Sequence, residues 1–357
     1  MRLAVFAAGL IGAAIAVAHP GHSLEIEAER VFGNPEAPLI EVLSTTDMQA
    51  FAPVLEDFAA RHPGRAIRYV QASSTQIHQA IADEGARFDL VISSAMDLQM
   101  RLVNDGFAAT VAPEAEGLPS WARWRDQLWG IALEPVVTLA SRRAFVDLPI
   151  PNTRREMIAT LRAHPERFAG RIGGYDPQIS GVGYFLVAQD DQVSDGFWRL
   201  AEVMGRLNAR LYCCSGDMID ELRAGRLSVV YNAVASYAAR YRPDDPDLIQ
   251  IATDDYILAI VRSAFLPVNA PNPDGGRQLL SYLLSVPAQT LIADSSGVAL
   301  VAGTGPAPSP QLRPIRLDAG LLVHGDRLRR AGLLAEWQAA LVQPPAPAPD
   351  TAATPSP

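Results

Sequence analysis

The sequence predicts an α/β fold with mostly parallel sheets, and three observations support this prediction. The chain has 357 residues, of which 49% are hydrophobic and 19% charged, so it can bury a core in two ordinary domains. From residue 38 onward, short apolar segments alternate with amphipathic segments of helical spacing. Each apolar segment ends in small polar residues at which the next amphipathic segment begins, which is typical of βα units.

Three such units open the fold. The predicted strands are 38–44, 66–73 and 88–94, and the predicted helices are 47–64, 74–86 and 95–108. The first helix closes at Pro63 and Gly64, a pair that ends helices. These units predict a parallel sheet with helices on both faces.

The pattern changes after residue 110. Residues 130–141 read as a strand that leaves the first region, and 142–250 as a second α/β region. The chain then returns as an extended segment, followed by helices at about 273–285 and 287–295. We expect an extended leader at 19–37 and a disordered Pro/Ala-rich tail at 343–357.

The N-terminus has the pattern of a secretory signal. Arg2 supplies the positive start, Leu3 to Ala18 is apolar, and Ala16-Val17-Ala18 fits a cleavage site after Ala18. A membrane anchor is the alternative, but the apolar run is short for a spanning helix. The net charge is −9 with no basic run, which argues against nucleic-acid binding.

Hydroxyl side chains follow each of the first three predicted strands. They are Ser44 and Thr45, Ser73 and Ser74, and Ser93 and Ser94. The carboxyl ends of parallel strands share one edge, where open α/β sheets bind ligands and helix N-termini present free N–H groups. This arrangement predicts a site for a small polar solute, preferably an anion. The alternative for each residue alone is a helix N-cap.

The two cysteines, Cys213 and Cys214, are adjacent. Export permits a disulfide, but neighbouring cysteines can bridge each other only through a strained ring. We therefore expect two small thiols or an intermolecular pairing. An enzyme with one of them as nucleophile remains an alternative, although no base can be assigned to it and Asp217 is only a candidate.

Several stretches together resemble the periplasmic solute-binding proteins of ABC importers, in the group that includes ferric-iron and phosphoglycerate-type binding proteins. They are "IEVLSTTD", "GIALEPVVTLASRRAF", "YDPQISGVGYF", "LRAGRLSVVYNAVASYA" and "LAIVRSAFLPVNAPNPDGGRQLLSYLLS". The resemblance implies two lobes, each a mostly parallel sheet flanked by helices, joined by two crossing strands. It places lobe 1 at 38–130 plus 264–342, the crossings at 131–140 and 253–263, and lobe 2 at 141–252.

The resemblance also implies which residues face the solute. Lobe 1 contributes the six hydroxyl residues named above. Lobe 2 contributes residues of its own loops: Ser180, Gly181, Gly183, Ser215, Tyr231 and Asn232. Arg142 and Arg143, just past the first crossing, are candidates for a countercharge to an anion.

The function implied is that of a non-enzymatic, monomeric receptor without a cofactor or resident metal. It captures a solute in the periplasm by hinge closure and delivers it to an inner-membrane permease. A ligand sensor read by a sensor kinase is an alternative. Ferric iron as the solute is another, with Tyr231, Asp47 and Asp97 as candidate ligands. Ferric-iron proteins of this group place two adjacent tyrosines where this chain has Tyr231 and Asn232, which favours an organic solute.

Overall fold

The computed structural model describes residues 24–239, 245–251, 253–295, 300 and 309–342. The predicted signal peptide (1–18) and tail (343–357) lie outside these residues. The strands are β1 (Ala28–Gly33), β2 (Leu39–Ser44), β3 (Ala66–Gln71), β4 (Leu90–Ser93), β5 (Arg123–Trp124), β6 (Leu128–Ser141), β7 (Ile172–Tyr175), β8 (Arg210–Tyr212), β9 (Val229–Val234), β10 (Leu248–Ile251), β11 (Ile257–Phe265) and β12 (Leu312–Pro314).

Helices follow most of these strands. They are α1 (Met48–Arg61), α2 (Ser74–Ala82), α3 (Met96–Asn104), α4 (Arg154–Ala163), α5 (Pro165–Phe168), α6 (Gly181–Val193), α7 (Gly196–Arg206), α8 (Ser215–Arg223), α9 (Ala235–Ala239), α10 (Pro273–Leu283), α11 (Val286–Ser295) and α12 (Arg327–Leu341). The predicted α/β class is confirmed. No described helix combines the length and apolar character needed to cross a bilayer.

The strand order is β1-β3-β2-β4-β11-β6-β9-β7-β8, with β5 and β10 on β6 and β12 on β11. The pairs β3-β2, β2-β4, β9-β7 and β7-β8 are parallel. The edge strand β1 is antiparallel to β3. It lies within 19–37, so part of the expected leader belongs to the sheet, where Phe32 is the one buried residue of the strand.

Strand β6 joins two parts of the sheet. Up to Pro135 it pairs with β11, and from Val136 onward with β9. We call the part with β1–β5, β11 and β12 lobe 1, and the part with β7–β10 lobe 2. Helices α1, α10 and α11 cover one face of the lobe 1 sheet, and α2 and α3 the other. One apolar cluster continues through the junction into lobe 2.

The last helix packs on lobe 2, whereas the resemblance placed all of 264–342 in lobe 1. Trp337 of α12 stacks on Phe197 of α7, with ring centroids 6.1 Å apart. Ala340 and Met204 belong to the same buried cluster. The assignment of α12 is therefore corrected: an apolar stripe in a terminal helix does not say which lobe it will cover.

The contact between α7 and α12 can be tested with two glycines. A Cβ at Gly205 would meet the Ala340 carbonyl oxygen at 2.3 Å, whereas a Cβ at Gly332 meets nothing within 4 Å. We expect Gly205→Ala to destabilise the protein by roughly 1–3 kcal/mol through overpacking. The matched variant Gly332→Ala should stabilise it by about 1 kcal/mol, because alanine favours a helix. Urea unfolding measures both changes, and a neutral Gly205→Ala would contradict the packing of α12 on lobe 2.

Candidate functional site

A cleft of about 420 Å³ lies between the two lobes. Its walls contain seven of the residues that the sequence singled out: Thr45, Ser73, Ser74, Ser94, Ser180, Gly181 and Ser215. The first four come from the carboxyl ends of β2, β3 and β4, and the other three from the N-termini of α6 and α8. Residues more than 100 positions apart in the chain thus face one another.

The hydroxyls on the lobe 1 side are held in different ways. Thr45 Oγ1 accepts a hydrogen bond from the Ser94 N–H at 3.3 Å. Ser73 caps α2, with its Oγ accepting from the Gln76 N–H at 3.3 Å. The Ser74 hydroxyl has no hydrogen-bond partner among the described residues, so it is available to a solute.

The lobe 2 wall is more constrained. Ser180 caps α6 by accepting from the Gly183 N–H at 3.0 Å. Ser215 Oγ accepts from the Val234 N–H at 3.0 Å and lies 2.5 Å from the Tyr175 hydroxyl. Most of the hydrogen-bonding capacity of Ser215 is used within the protein, so it can offer a solute little more than one further bond.

The two lobes come close at the rim of the cleft. A Cβ built on Gly181 would lie 3.1 Å from Ser74 Oγ and 3.7 Å from a methyl group of Leu98. Glycine therefore allows the N-terminus of α6 to approach lobe 1 at this point.

Glu134 forms the floor of the cleft. It lies on β6 and is only 1% exposed. Ser94 of lobe 1 and Ser236 of lobe 2 both donate to its carboxylate, and Arg262 of β11 forms an ion pair with it. Sequence reasoning missed this residue, although a glutamate inside the apolar run "GIALEPVV" is a visible signal.

Three of the predicted residues lie behind the cleft wall. Ser44 Oγ accepts from the Thr46 N–H and Ser93 Oγ from the Ala95 N–H, so both shape their turns. Gly183 lies inside the first turn of α6, and a Cβ there would meet Tyr175 and Ser180 within 3 Å. Their positions correct the expectation that they face the solute: each supports a lining residue.

Tyr231 and Asn232 face the interior of lobe 2. Both donate to Asp190, at 3.1 and 2.6 Å, and Arg154 donates to the Tyr231 hydroxyl at 3.0 Å. Burial and the charge of Asp190 raise the pKa of Tyr231, so its phenol keeps its proton. We expected these two residues to line the cleft, and this expectation is corrected. Their hydrogen bonds to Asp190 hold both side chains on the Asp190 side of β9, and nothing in the sequence identified Asp190 as their partner.

The structure does not gather the three candidate iron ligands. Tyr231 is in lobe 2, Asp47 caps α1 through the Ala50 N–H, and Asp97 lines a separate pocket. Among the described residues, the group of Cys, His, Asp and Glu side chains close enough for a metal is Cys213, Cys214 and Asp217.

The two cysteines are bonded to each other, which corrects the expectation of two thiols. The disulfide lies between β8 and α8 and lines the cleft. Asp217 Oδ2 lies 3.3 Å from Cys213 Sγ. The bonded sulfurs leave neither cysteine available as a thiolate nucleophile in this state.

The charged groups of the cleft are acidic. Its described lining contains Glu27, Glu134 and Asp217 but no arginine, lysine or histidine. Burial and the charge of Glu134 raise the pKa of the lining Tyr237 to about 12. The candidate countercharges lie elsewhere, since the Arg143 side chain is 86% exposed beside Asp247 and Arg142 binds the Pro246 carbonyl. The lining thus lacks the countercharge that the expectation of an anion required.

Two further pockets differ in how they lie relative to the cleft. One of about 270 Å³ adjoins the cleft at Thr75 and Gly181 and contains Asp97 and Arg330. The other, about 530 Å³, is larger but lies on the outside of lobe 1, around His62. The first lies between the lobes but is a separate pocket with a lining of its own, which includes Arg101 and Arg330, and the second lies away from the junction of the lobes.

Comparisons with known proteins agree with this geometry. A family model described as bacterial extracellular solute-binding protein matches residues 40–295. The structure is similar to the substrate binding protein of an ABC transporter from Agrobacterium tumefaciens, with 30% identity, a TM-score of 0.81, and 88% of this chain and 98% of that one covered. None of the curated proteins matches the chain.

Two ferric-iron proteins share the fold. Iron-bound HitA from Pseudomonas aeruginosa is 14% identical with a TM-score of 0.66, covering 84% of this chain and 99% of that one. The ferric binding protein from Campylobacter jejuni is 14% identical with a TM-score of 0.62, covering 85% and 97%. At this identity the similarity concerns the fold alone.

The pocket beside the cleft yields a pH-dependent prediction. Burial raises the pKa of Asp97 from 3.8 to about 6. The folded state therefore binds this proton more tightly than the unfolded chain, and the stability that the proton contributes is lost as pH rises from about 4 to 6. We expect Asp97→Asn to stabilise the protein by about 3 kcal/mol at pH 8 and hardly at all at pH 3.5. Denaturant unfolding at both pH values checks this, and an effect independent of pH would contradict it.

Proposed function

The chain belongs to the bacterial extracellular solute-binding proteins, and from this we propose that it captures one small polar solute between its lobes and delivers it to the permease of an ABC transporter. The observation that carries the proposal is the cleft, in which hydroxyl-bearing loops of both lobes meet over the buried Glu134. The resemblance seen in the sequence is confirmed by the family match and by the Agrobacterium relative.

The mechanism we propose is closure about the crossing strands. The lobes are joined at β6, next to β11, so a small twist there opens or closes the cleft. A solute that bonds to both walls binds the closed form better and shifts the population toward it. The permease then recognises the closed, loaded protein.

The proposed contact set is narrower than the one expected from the sequence. It begins with the seven predicted residues that line the cleft: Thr45, Ser73, Ser74, Ser94, Ser180, Gly181 and Ser215. Tyr175, Tyr237 and Glu134 join them, because they line the same space. The free N–H groups in the first turns of α6 and α8 add hydrogen-bond donors beside these side chains.

The location and partners follow from the family. We propose export to the periplasm, with cleavage after Ala18, although these residues lie outside the described ones. We also propose that the protein acts as a monomer, and the lining of the cleft by residues of one chain is compatible with this. A sensor kinase that reads the closed form would use the same cleft, and a kinase gene beside the permease gene would favour that partner.

Two alternatives receive less support. Some proteins with this fold bind ferric iron, but the candidate iron ligands of this chain, Tyr231, Asp47 and Asp97, lie apart from one another. A cysteine-dependent enzyme would need a free thiolate, and the sulfurs of Cys213 and Cys214 are bonded to each other.

A ligand screen tests the proposed function. The mature protein is heated with ferric citrate, sugars, polyols, polyamines, dicarboxylates, phosphonates and phosphorylated three-carbon acids in turn. A solute at 100 times its dissociation constant adds about 2.7 kcal/mol of stability and should raise Tm by about 5 °C or more. Small-angle scattering should then show a smaller radius of gyration with that solute. If no compound in the screen and no periplasmic extract raises Tm, the proposal fails.

A disulfide across the rim tests closure. The Gly181 Cβ position lies 3.1 Å from Ser74 Oγ, which suits a bridge between cysteines at these positions. We expect oxidised Ser74→Cys/Gly181→Cys to exchange the screened solute at least tenfold more slowly than wild type, because the lobes cannot separate. Each single variant under the same oxidant serves as the control. Unchanged exchange in the bridged protein would show that the solute does not enter between the lobes.

A further inference from the structure

The chemical class of the solute can be inferred from a small cavity behind the cleft, and this inference rests on the proposed function. The cavity is lined by Thr46, Asp47, Ala50, Ser236, Tyr237 and Arg262. Tyr237 also lines the cleft, and Ser236 and Arg262 both bind Glu134 on the cleft floor. The two spaces are therefore neighbours that share a wall.

The cavity contains buried donors that lack an acceptor. Arg262 is 2% exposed, and one of its terminal nitrogens, Nη2, binds Glu134. Its Nε and Nη1 have no hydrogen-bond partner among the described residues, and neither does Thr46 Oγ1, whose side chain is also buried. These atoms are closed off in this structure, but unsatisfied buried donors cost folding free energy, so a side-chain movement that lets an oxygen atom of a solute reach them is favoured.

The size and charge of the cavity decide which oxygen fits. The free space accommodates about one water-sized group, enough for a hydroxyl but small for a carboxylate or a phosphate. Glu134 already neutralises Arg262, and Asp47 lies on the same wall. The described lining of the cavity has no second cation for a further negative charge, which would also lie near the Glu134 carboxylate, whereas a neutral hydroxyl needs no countercharge.

The charged groups of the cleft are hydrogen-bond acceptors, so a suitable solute supplies donors. Its carboxylates, Glu27, Glu134 and Asp217, can only accept hydrogen bonds when ionised. An anion without hydroxyls cannot donate to them, and an ammonium group cannot accept from Arg262. Hydroxyl groups do both, and the rings of Tyr175 and Tyr237 and the disulfide of Cys213 and Cys214 offer apolar surface to the carbon skeleton between them.

We propose that the solute is a small neutral polyhydroxylated molecule, such as a polyol or a sugar, and that one of its hydroxyls enters the cavity beside Arg262 and Thr46. Tyr237 lines both spaces, so its side chain has to move to let this group pass from the cleft. Thr46 and Arg262 thus act as specificity-determining residues that recognise one hydroxyl group of the solute.

The test uses solutes with one skeleton and different charge. The six-carbon set is D-glucitol, D-gluconate and D-glucamine, and the three-carbon set is glycerol, glycerate and 3-amino-1,2-propanediol; myo-inositol and D-glucose add rings. Isothermal titration calorimetry measures the affinity of each for the wild-type protein. We expect the neutral member of a set to bind at least tenfold more tightly than its acid and its amine.

Two variants locate the hydroxyl. Thr46→Val keeps the shape and removes a hydroxyl that has no partner in the protein, so it should raise Tm of the solute-free protein while weakening binding of the neutral solute about five- to tenfold. Ser285→Ala is the matched control, because its buried Oγ also has no partner but lies in lobe 1 away from the cleft. It should raise Tm and leave the affinity unchanged.

Several results would overturn the inference. Tightest binding of an acid or amine would overturn it while leaving the proposed function intact. An unchanged affinity in Thr46→Val would also overturn it, because the cavity would then hold water only. Binding of a solute from another class in the ligand screen would overturn it as well. If no solute of any class binds, the proposed function fails together with the inference.

Discussion

The arrangement of this molecule depends on the buried carboxylate of Glu134. A charge this deep in a protein requires partners, because removing one leaves a bare ion in a medium that solvates it poorly. Its partners come from both lobes: Ser94 and Arg262 in lobe 1, and Ser236 in lobe 2. Satisfying one carboxylate therefore fixes the loops of both lobes around a common floor. The cleft is a consequence of this requirement as much as of the apolar packing.

A second buried network fixes the other end of the junction. Asp190 of α6 receives hydrogen bonds from Tyr231, Asn232 and Tyr256. Tyr256 lies directly before β11, and Arg154 binds its carbonyl oxygen. This network ties the approach to β11 to the core of lobe 2, while the far end of β11 pairs with β4 in lobe 1. Each lobe is thus held rigid up to the strands on which it turns, as hinge closure requires.

Much of this fold could be predicted from the sequence, because its strands and helices have strong periodicity and clear ends. The hydroxyls of Ser74 and Ser94 were predicted because parallel strands bring their carboxyl ends together, whereas Ser180 was implied by the resemblance to periplasmic solute-binding proteins. The side chains behind the wall could not be separated from those on it. Whether Tyr231 faces a cleft or a buried Asp190 depends on a residue 41 positions away, which no local pattern contains. The bond between Cys213 and Cys214 was not predicted, because adjacent cysteines were expected to bridge each other only through a strained ring.

The most direct test of this account measures how Glu134 holds the lobes. Nitroxide labels are placed at Glu56 on lobe 1 and Arg155 on lobe 2, both exposed positions, and the distance between them is measured by double electron–electron resonance. Circular dichroism confirms that each protein is folded. Without solute, the account predicts a narrower distance distribution in the wild-type background, which moves between its open and closed forms only, than in Glu134→Ala, whose distribution extends to longer distances. The same narrow distribution in both would contradict it, because the lobes would then keep their arrangement without the carboxylate.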